Sequence, residues 1–341
     1  MKKLTYSLLP LGITVGLCLN IAPASASLIV RESISNAALS IDGFGSLSNS
    51  GIIQANIPTG STIKRAYLYA ASVWDMSPVY GVTFNGNLLS LSSATILSPN
   101  SNPATTARWD VTNIIAASFT GGLQNFSITE NGPIPTNDGA VLVVAYSNPS
   151  TQGFTSVILD GELSTGGDTS QFNFASPYTG GDFLVSLASS YSLQPTSEQF
   201  TQIDVTTNST NNRRLSTSAG GQDDGEWVDV GGGALMTVGG IGDDPTNPDP
   251  LALSSDGPRI DDEYYNLALG NSASAAPFIS PGDTFLRLTT QNPTNDDNVF
   301  GMFITSKFKS TATPVPEPSM TLGIFGIGAI GILLSRRGKK S

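Results

Sequence analysis

Seven consecutive residues, Ala140-Val141-Leu142-Val143-Val144-Ala145-Tyr146, are apolar at odd and even positions alike. Side chains of a strand alternate between two faces, so such a run fits a central strand buried on both sides. The sequence around it reads the same way. Strand patterns are expected at Leu28–Glu32, Gly51–Ile57, Ile63–Val73, Val82–Leu91, Ala107–Val111, Gln124–Glu130, Ala140–Ser147 and Thr155–Leu159. A second set follows at Phe183–Leu187, Thr201–Thr207, Ala234–Val238, Thr284–Thr290 and Val299–Ser306. Asn85-Gly86, Asn131-Gly132, Asp138-Gly139 and Asp160-Gly161 carry hairpin-turn chemistry. No stretch of useful length shows helical periodicity between the termini.

Glycine-, serine- and threonine-rich Ser164–Thr169 and Ser176–Gly181 mark the best internal boundary. Across it, Pro135-Thr136-Asn137-Asp138 recurs as Pro293-Thr294-Asn295-Asp296, each copy just before an apolar strand. Trp109-Asp110-Val111-Thr112-Asn113-Ile114 has a weaker counterpart in Asp262-Glu263-Tyr264-Tyr265-Asn266-Leu267. These matches predict an all-β fold of two tandem, jelly-roll-like β-sandwich modules of one topology, residues 27–165 and 176–309, the second carrying acidic loops.

Both ends carry targeting patterns. Lys2 and Lys3 precede an apolar stretch from Leu8 to Ile21, and Ala24-Ser25-Ala26 forms an A-x-A cleavage site. Residues 1–26 are therefore expected to be a signal peptide, with Ser27 as the mature start. Cys18, the chain's single cysteine, lies inside it. The exported part then has no disulfide, thiolate metal site or cysteine nucleophile. At the other end, residues 310–319 form a proline-rich linker containing Val315-Pro316-Glu317-Pro318. An uncharged run from Met320 to Leu334 follows, then Arg336-Arg337-Gly338-Lys339-Lys340. Residues 320–341 read as one short transmembrane helix with a basic tail that stays cytoplasmic.

The box, the short glycine-rich helix and the terminal bases resemble the PEP-CTERM sorting signal of Gram-negative bacteria. The resemblance rests on Val315, Pro316, Glu317, Pro318, Arg336 and Arg337. It implies a transient stop in the inner membrane, processing by an exosortase-type enzyme, and delivery to the cell surface or the exopolysaccharide matrix. The body of the chain is also similar to an uncharacterised β-rich domain of bacterial and archaeal surface proteins. That likeness rests on the strand ending at Trp74, the Trp109-Asp110-Val111-Thr112 element, Val157-Ile158-Leu159-Asp160-Gly161 and Asp261–Asn266. It implies fold and surface location alone.

Composition removes whole classes of chemistry. There is no histidine, hence no Ser-His-Asp or Cys-His arrangement and no imidazole ligand for zinc. Without the terminal segments, basic residues fall from 16 to 10 (Lys2, Lys3, Arg336, Arg337, Lys339 and Lys340 are lost). Acidic residues fall from 27 to 26 (Glu317 is lost), which leaves about −16. Nucleic acid is a poor partner for such a surface, whereas cations suit it.

The acids concentrate between Gly221 and Glu263, where eleven face a single base, Arg259. Calcium, a hard ion that takes many oxygens in irregular loops, fits Asp223, Asp224, Asp243, Asp244, Asp261 and Asp262, with Asp296 and Asp297 from the repeated turn. The spacing matches neither an EF-hand nor a calcium-binding β-roll, and solvated turn carboxylates account for the same residues. Trp227, between Glu226 and Asp229 in a glycine-rich loop, is the best candidate for a sugar-stacking aromatic. Trp74, Trp109 and Tyr264-Tyr265 are further aromatic candidates, the two tryptophans being better suited to a core. The expected role is structural or adhesive, through polysaccharide or neighbouring surface proteins, and not enzymatic. The alternative is a carbohydrate-active enzyme of glycoside hydrolase type, for which Asp160, Glu162, Glu226 and Glu263 are eligible by residue type.

Overall fold

The computed structural model describes residues 28–45, 49–72, 79–97, 106–132, 137–164, 166–190, 200–220, 236–252, 263–293 and 298–308. These residues are mostly β. In chain order the strands are β1 (Ile29–Ser35), β2 (Ala38–Gly45), β3 (Ser50–Ile57), β4 (Thr62–Ser72), β5 (Val82–Phe84), β6 (Asn87–Leu89), β7 (Thr95–Ile96) and β8 (Thr106–Asp110). After the short helix α1 (Thr112–Ser118) come β9 (Gly122–Glu130), β10 (Asn137–Ser147), β11 (Thr155–Asp160), β12 (Thr169–Asn173) and β13 (Phe183–Ser190). The last are β14 (Thr201–Thr206), β15 (Arg213–Ala219), β16 (Met236–Val238), β17 (Tyr264–Asn266), β18 (Phe285–Gln291) and β19 (Asn298–Ser306). Among the described residues no helix is long and apolar enough to cross a membrane.

The strands form four antiparallel sheets. Sheet A runs β1-β11-β19-β13-β16, with β17 also on β13; sheet B runs β2-β10-β4-β8-β7. Sheet C runs β3-β9-β5-β6 and sheet D runs β12-β18-β14-β15. As the alternation-free run at residues 140–146 predicts, β10 lies between β2 and β4 with both faces covered. Its even-numbered side chains, Leu142 and Val144, join an apolar cluster with Ile53, Phe84 and Phe126 of sheet C. Val141 and Val143 point the other way and join Ile158, Phe300 and Phe303 of sheet A. A third cluster draws on Val185 and Ile304 of sheet A and on Phe172, Ile203 and Leu288 of sheet D. The stacking order is therefore C, B, A, D. Each layer is held by side chains worth about 1.5–3 kcal/mol when fully buried.

Strand order repeats. The series β2-β10-β4-β8 in sheet B corresponds place for place to β11-β19-β13-β17 in sheet A, and β3-β9-β5-β6 in sheet C to β12-β18-β14-β15 in sheet D. The Pro-Thr-Asn-Asp copies lead into β10 and β19, the equivalent strands, and the Trp109 and Tyr264 elements are β8 and β17. Sheet membership does not follow the compositional boundary. β11, inside residues 27–165, pairs with β19, and β1 pairs with β11, so both lie in sheet A with strands from the second half.

Of the four hairpin signals, only Asn85-Gly86 closes a hairpin. It joins β5 to β6 with positive φ at both residues, 46° and 77°, as a type I′ turn requires. Asp138-Gly139 lies within β10, where the register against β4 shifts between Asn137 and Gly139, so it is a bulge and not a turn. Asn131-Gly132 and Asp160-Gly161 sit where the chain passes from one sheet to another. Turn residues serve crossings as well as hairpins, which is why those two signals misled. The glycine- and serine-rich stretches at Ser164–Thr169 and Ser176–Gly181 flank β12.

Candidate functional site

Most of the acidic candidates fall outside the described residues: Asp223, Asp224, Asp261, Asp262, Asp296 and Asp297, with Glu226 and the aromatic candidates Trp74 and Trp227. So do Ala24, Ala26 and Ser27 at the signal cleavage site and the whole C-terminal signal. Asp243 and Asp244 are described. Among the described residues no three carboxylates, histidines or cysteines form a group able to hold a metal ion.

Asp243 is placed by a close approach between the two halves of the chain. Ile241 N donates to the Ile41 carbonyl at 2.9 Å, which ties the 239–245 segment to β2. A Cβ on Gly240 would collide with that same carbonyl, so only glycine fits there. The Gly240 N–H in turn donates to Asp243 Oδ2. Burial pushes the Asp243 carboxyl up to about 6, with Glu263 adding to the rise and the Gly240 N–H opposing it. Behind it, Asp42 on β2 accepts from Gln54 N at 2.5 Å. Burial pushes Asp42 up to about 7 against that hydrogen bond, and Asp243 contributes further. Between β2, β3, this segment and β17 lies a cleft of about 350 Å³, lined by Ser40, Ile41, Asn56, Ile241, Asp243 and Tyr264 among others. Ser40 Oγ accepts from Asn56 N at 2.8 Å. Tyr264 is half-buried, whereas its neighbour Tyr265 belongs to the A–D core.

The strongest charge constellation is enclosed. Asp160, at the end of β11, is 0% exposed. It accepts from Arg31 Nε at 3.3 Å, Arg108 Nη1 at 2.5 Å and the Tyr69 hydroxyl at 3.0 Å. Arg31 reaches it because β1 shifts register against β11 between Val30 and Glu32, which re-aims the intervening side chain. Tyr67 OH donates to Glu32 Oε1 at 3.0 Å, and Arg65 bridges Glu32 at 3.1 Å and Asp110 at 3.0 Å. The Arg108 guanidinium also stands 5.0 Å from the centre of the Tyr67 ring. Residues of sheet A (Arg31, Glu32, Asp160) are thereby clamped to residues of sheet B (Arg65, Tyr67, Tyr69, Arg108). Burial pushes the Tyr69 hydroxyl well up, and the Asp160 charge adds to it, so it stays a proton donor. The network specifies how the two sheets face each other, a role suited to buried charge.

Of the carboxylates eligible for glycosidic chemistry, the three that are described, Asp160, Glu162 and Glu263, are buried out of reach of a polymer. Glu162 is 0% exposed and accepts from Thr106 N at 2.7 Å, with burial pushing it up to about 7. Glu263 is 1% exposed. Trp109 is a core residue, as expected, and its Nε1 donates to the Ser90 carbonyl at 2.9 Å. A second cleft, of about 510 Å³, holds Arg213 and Arg214. Both cations are engaged there: Arg214 pairs with Asp204 at 2.8 Å, and Arg213 donates to the carbonyls of Ser274 and Ala276 while stacking 3.9 Å over Phe278.

Of the candidate aromatics, Tyr264 was legible from sequence and lines the Asp243 cleft. Ser40 and Asn56 were not, since they come from strands some 200 residues earlier and carry no motif.

Comparison with known proteins identifies one feature. Residues 314–337 match the PEP-CTERM protein-sorting motif, a span that contains Val315, Pro316, Glu317, Pro318, Arg336 and Arg337. Such a motif implies export, transient anchoring through the C-terminus and processing by an exosortase-type enzyme. No curated protein matches the chain. Among solved structures, PNGF-II in space group P21 aligns over 81% of this chain and 66% of its own, at 8% identity and a TM-score of 0.25. Its C2 form aligns over 83% and 66%, also at 8% and 0.25. The major capsid protein P2 of bacteriophage PM2 aligns over 81% of this chain and 100% of its own, at 10% and 0.21. This chain thus spans 66% of the PNGF-II length, and scores this low carry no argument about fold or activity.

Proposed function

We propose that this is an exported, non-enzymatic protein of the cell surface or exopolysaccharide matrix of a Gram-negative bacterium. Its role is structural or adhesive. The observation that carries this reading is the sorting motif at residues 314–337 on a β-rich body. In this reading residues 1–26 are removed as a signal peptide, and residues 320–341 hold the chain briefly in the inner membrane before the exosortase-type enzyme acts near Pro316-Glu317-Pro318. We read the matching strand orders as two sandwich modules of one jelly-roll-like topology, β2–β10 and β11–β19, derived from a duplication. The repeated Pro-Thr-Asn-Asp segments before β10 and β19 support it. A body of stacked sheets locked by a buried ionic network suits a load-bearing or adhesive part better than a catalyst.

Mass spectrometry of the mature protein, from cells with and without the sorting enzyme, tests the processing step. The expected result is a chain that starts at Ser27 and lacks Arg336–Ser341 only when the enzyme is present. An intact tail in both strains would refute it.

A further inference from the structure

The cleft beside Asp243 carries more than the acidic cluster predicted there. We propose that it is a subsite for one neutral pyranose unit of a polysaccharide, an inference that rests on the matrix reading above and names its ligand class. A pyranose ring presents hydroxyls around its rim and C–H groups on its faces. The cleft offers partners for both. One oxygen of Asp243 is taken by the Gly240 N–H, and the other makes no hydrogen bond among the described residues. Asn56 is exposed, and its hydrogen bond to Ser40 is made by the backbone N–H, which leaves the carboxamide to face the cleft. A carboxylate that accepts and an amide that both donates and accepts can bind adjacent ring hydroxyls. The Ser40 hydroxyl keeps its own proton to donate, because its oxygen accepts from Asn56 N. Ile41 and Ile241 supply apolar wall, and the half-buried Tyr264 adds an aromatic side chain to the lining. The volume, about 350 Å³, lies in the range of small-ligand pockets, and the position between two packed halves of a chain is a usual one for them.

Electrostatics select the kind of sugar. Among the described residues no lysine or arginine lines the cleft, and Asp42 and Glu263 stand close to Asp243. A uronate or sulfated unit would bring a further negative charge beside the Asp243 carboxylate, with no cation among the described lining residues. A neutral unit meets no such penalty.

The test is calorimetric titration of the full-length chain in detergent with gluco-, manno- and galactohexaose, and with hexagalacturonate as the acidic probe. At least one neutral hexaose is expected to bind, at least about tenfold more tightly than hexagalacturonate, a factor of ten being about 1.4 kcal/mol. Asn56→Ala should weaken that binding about tenfold or more while leaving the melting temperature unchanged, since the side chain is exposed. Asp243→Asn should weaken it as well, and Asn87→Ala, on the remote β5–β6 hairpin, should not. The proposal is overturned if no neutral hexaose binds, if hexagalacturonate binds as well as they do, or if Asn56→Ala and Asp243→Asn leave affinity intact. Failure here leaves the tail-processing result untouched, and failure of tail processing leaves this titration untouched, so the two readings fall separately.

Discussion

Replacing Asp42 by Asn isolates one buried carboxyl. The side chain is 8% exposed and accepts from Gln54 N at 2.5 Å. A carboxamide keeps the shape and the accepting oxygen and removes only the titration. In the folded protein the carboxyl holds its proton up to about 7, whereas its ordinary value is 3.8. Between those values the unfolded chain ionises and the folded chain does not, so the folded state binds more protons and stability falls as pH rises. At about 1.4 kcal/mol per pH unit the full interval corresponds to about 4 kcal/mol. Residual solvent contact at the sheet edge brings the expected effect to about 2–4 kcal/mol. Urea denaturation of parent and Asp42→Asn across pH 4 to 8 reads it directly. The two should have nearly equal stability at the acidic end, and the variant should gain steadily to a plateau above pH 7. A difference that is constant with pH, or that favours the parent at pH 8, would refute the reasoning.

The remaining predictions concern the inter-sheet network and the acidic loops. Arg108→Met strips Asp160 of its buried cationic partner from sheet B, leaving the Tyr69 hydroxyl, and should cost about 3–5 kcal/mol in chemical denaturation, far more than loss of a surface ion pair such as Arg65–Asp110. If Arg108→Met costs under about 1 kcal/mol, Asp160 is not relying on it. Millimolar calcium, but not magnesium, should raise the melting temperature if Asp223, Asp224, Asp243, Asp244, Asp261, Asp262, Asp296 and Asp297 are ligands. An unchanged melting curve would leave them as solvated turn residues.

Local pattern made some elements easy to read and left others hidden. β4, β10 and β19 are long and β11 is almost wholly apolar at its centre (Val157, Ile158, Leu159); all four were legible because their surroundings agree with their propensity. β2 was missed: Ser40, Asp42, Gly43 and Gly45 dilute its apolar residues, yet Ile41 and Phe44 reach opposite cores. β15 was missed because Arg213-Arg214 and a run of hydroxyl residues hide its inward Leu215. α1 has seven residues and one fully buried side chain, Ile115, too little for a helical period to show. The two Pro-Thr-Asn-Asp copies were legible, and they lead into β10 and β19, which hold matching places in the two strand orders. What no local pattern holds is partnership between sheets. Nothing near Asp160 announces Arg31 or Arg108, and nothing near Asp243 announces Asn56, because those contacts are made by topology after the strands are placed.

β1 has a consequence for the order of assembly. It leaves the export channel first, but its partner β11 lies more than 100 residues later, and β11 is secured only when β19 arrives on its other side. Sheets B and C close within residues 38–147 and are free to form early, from contacts of shorter sequence separation. A half-translocated chain therefore displays, on the outer face of sheet B, apolar Ile41, Val141 and Val143 beside an Arg108 still waiting for Asp160. Sheet A is thus the layer whose completion waits for β19, the last strand among the described residues.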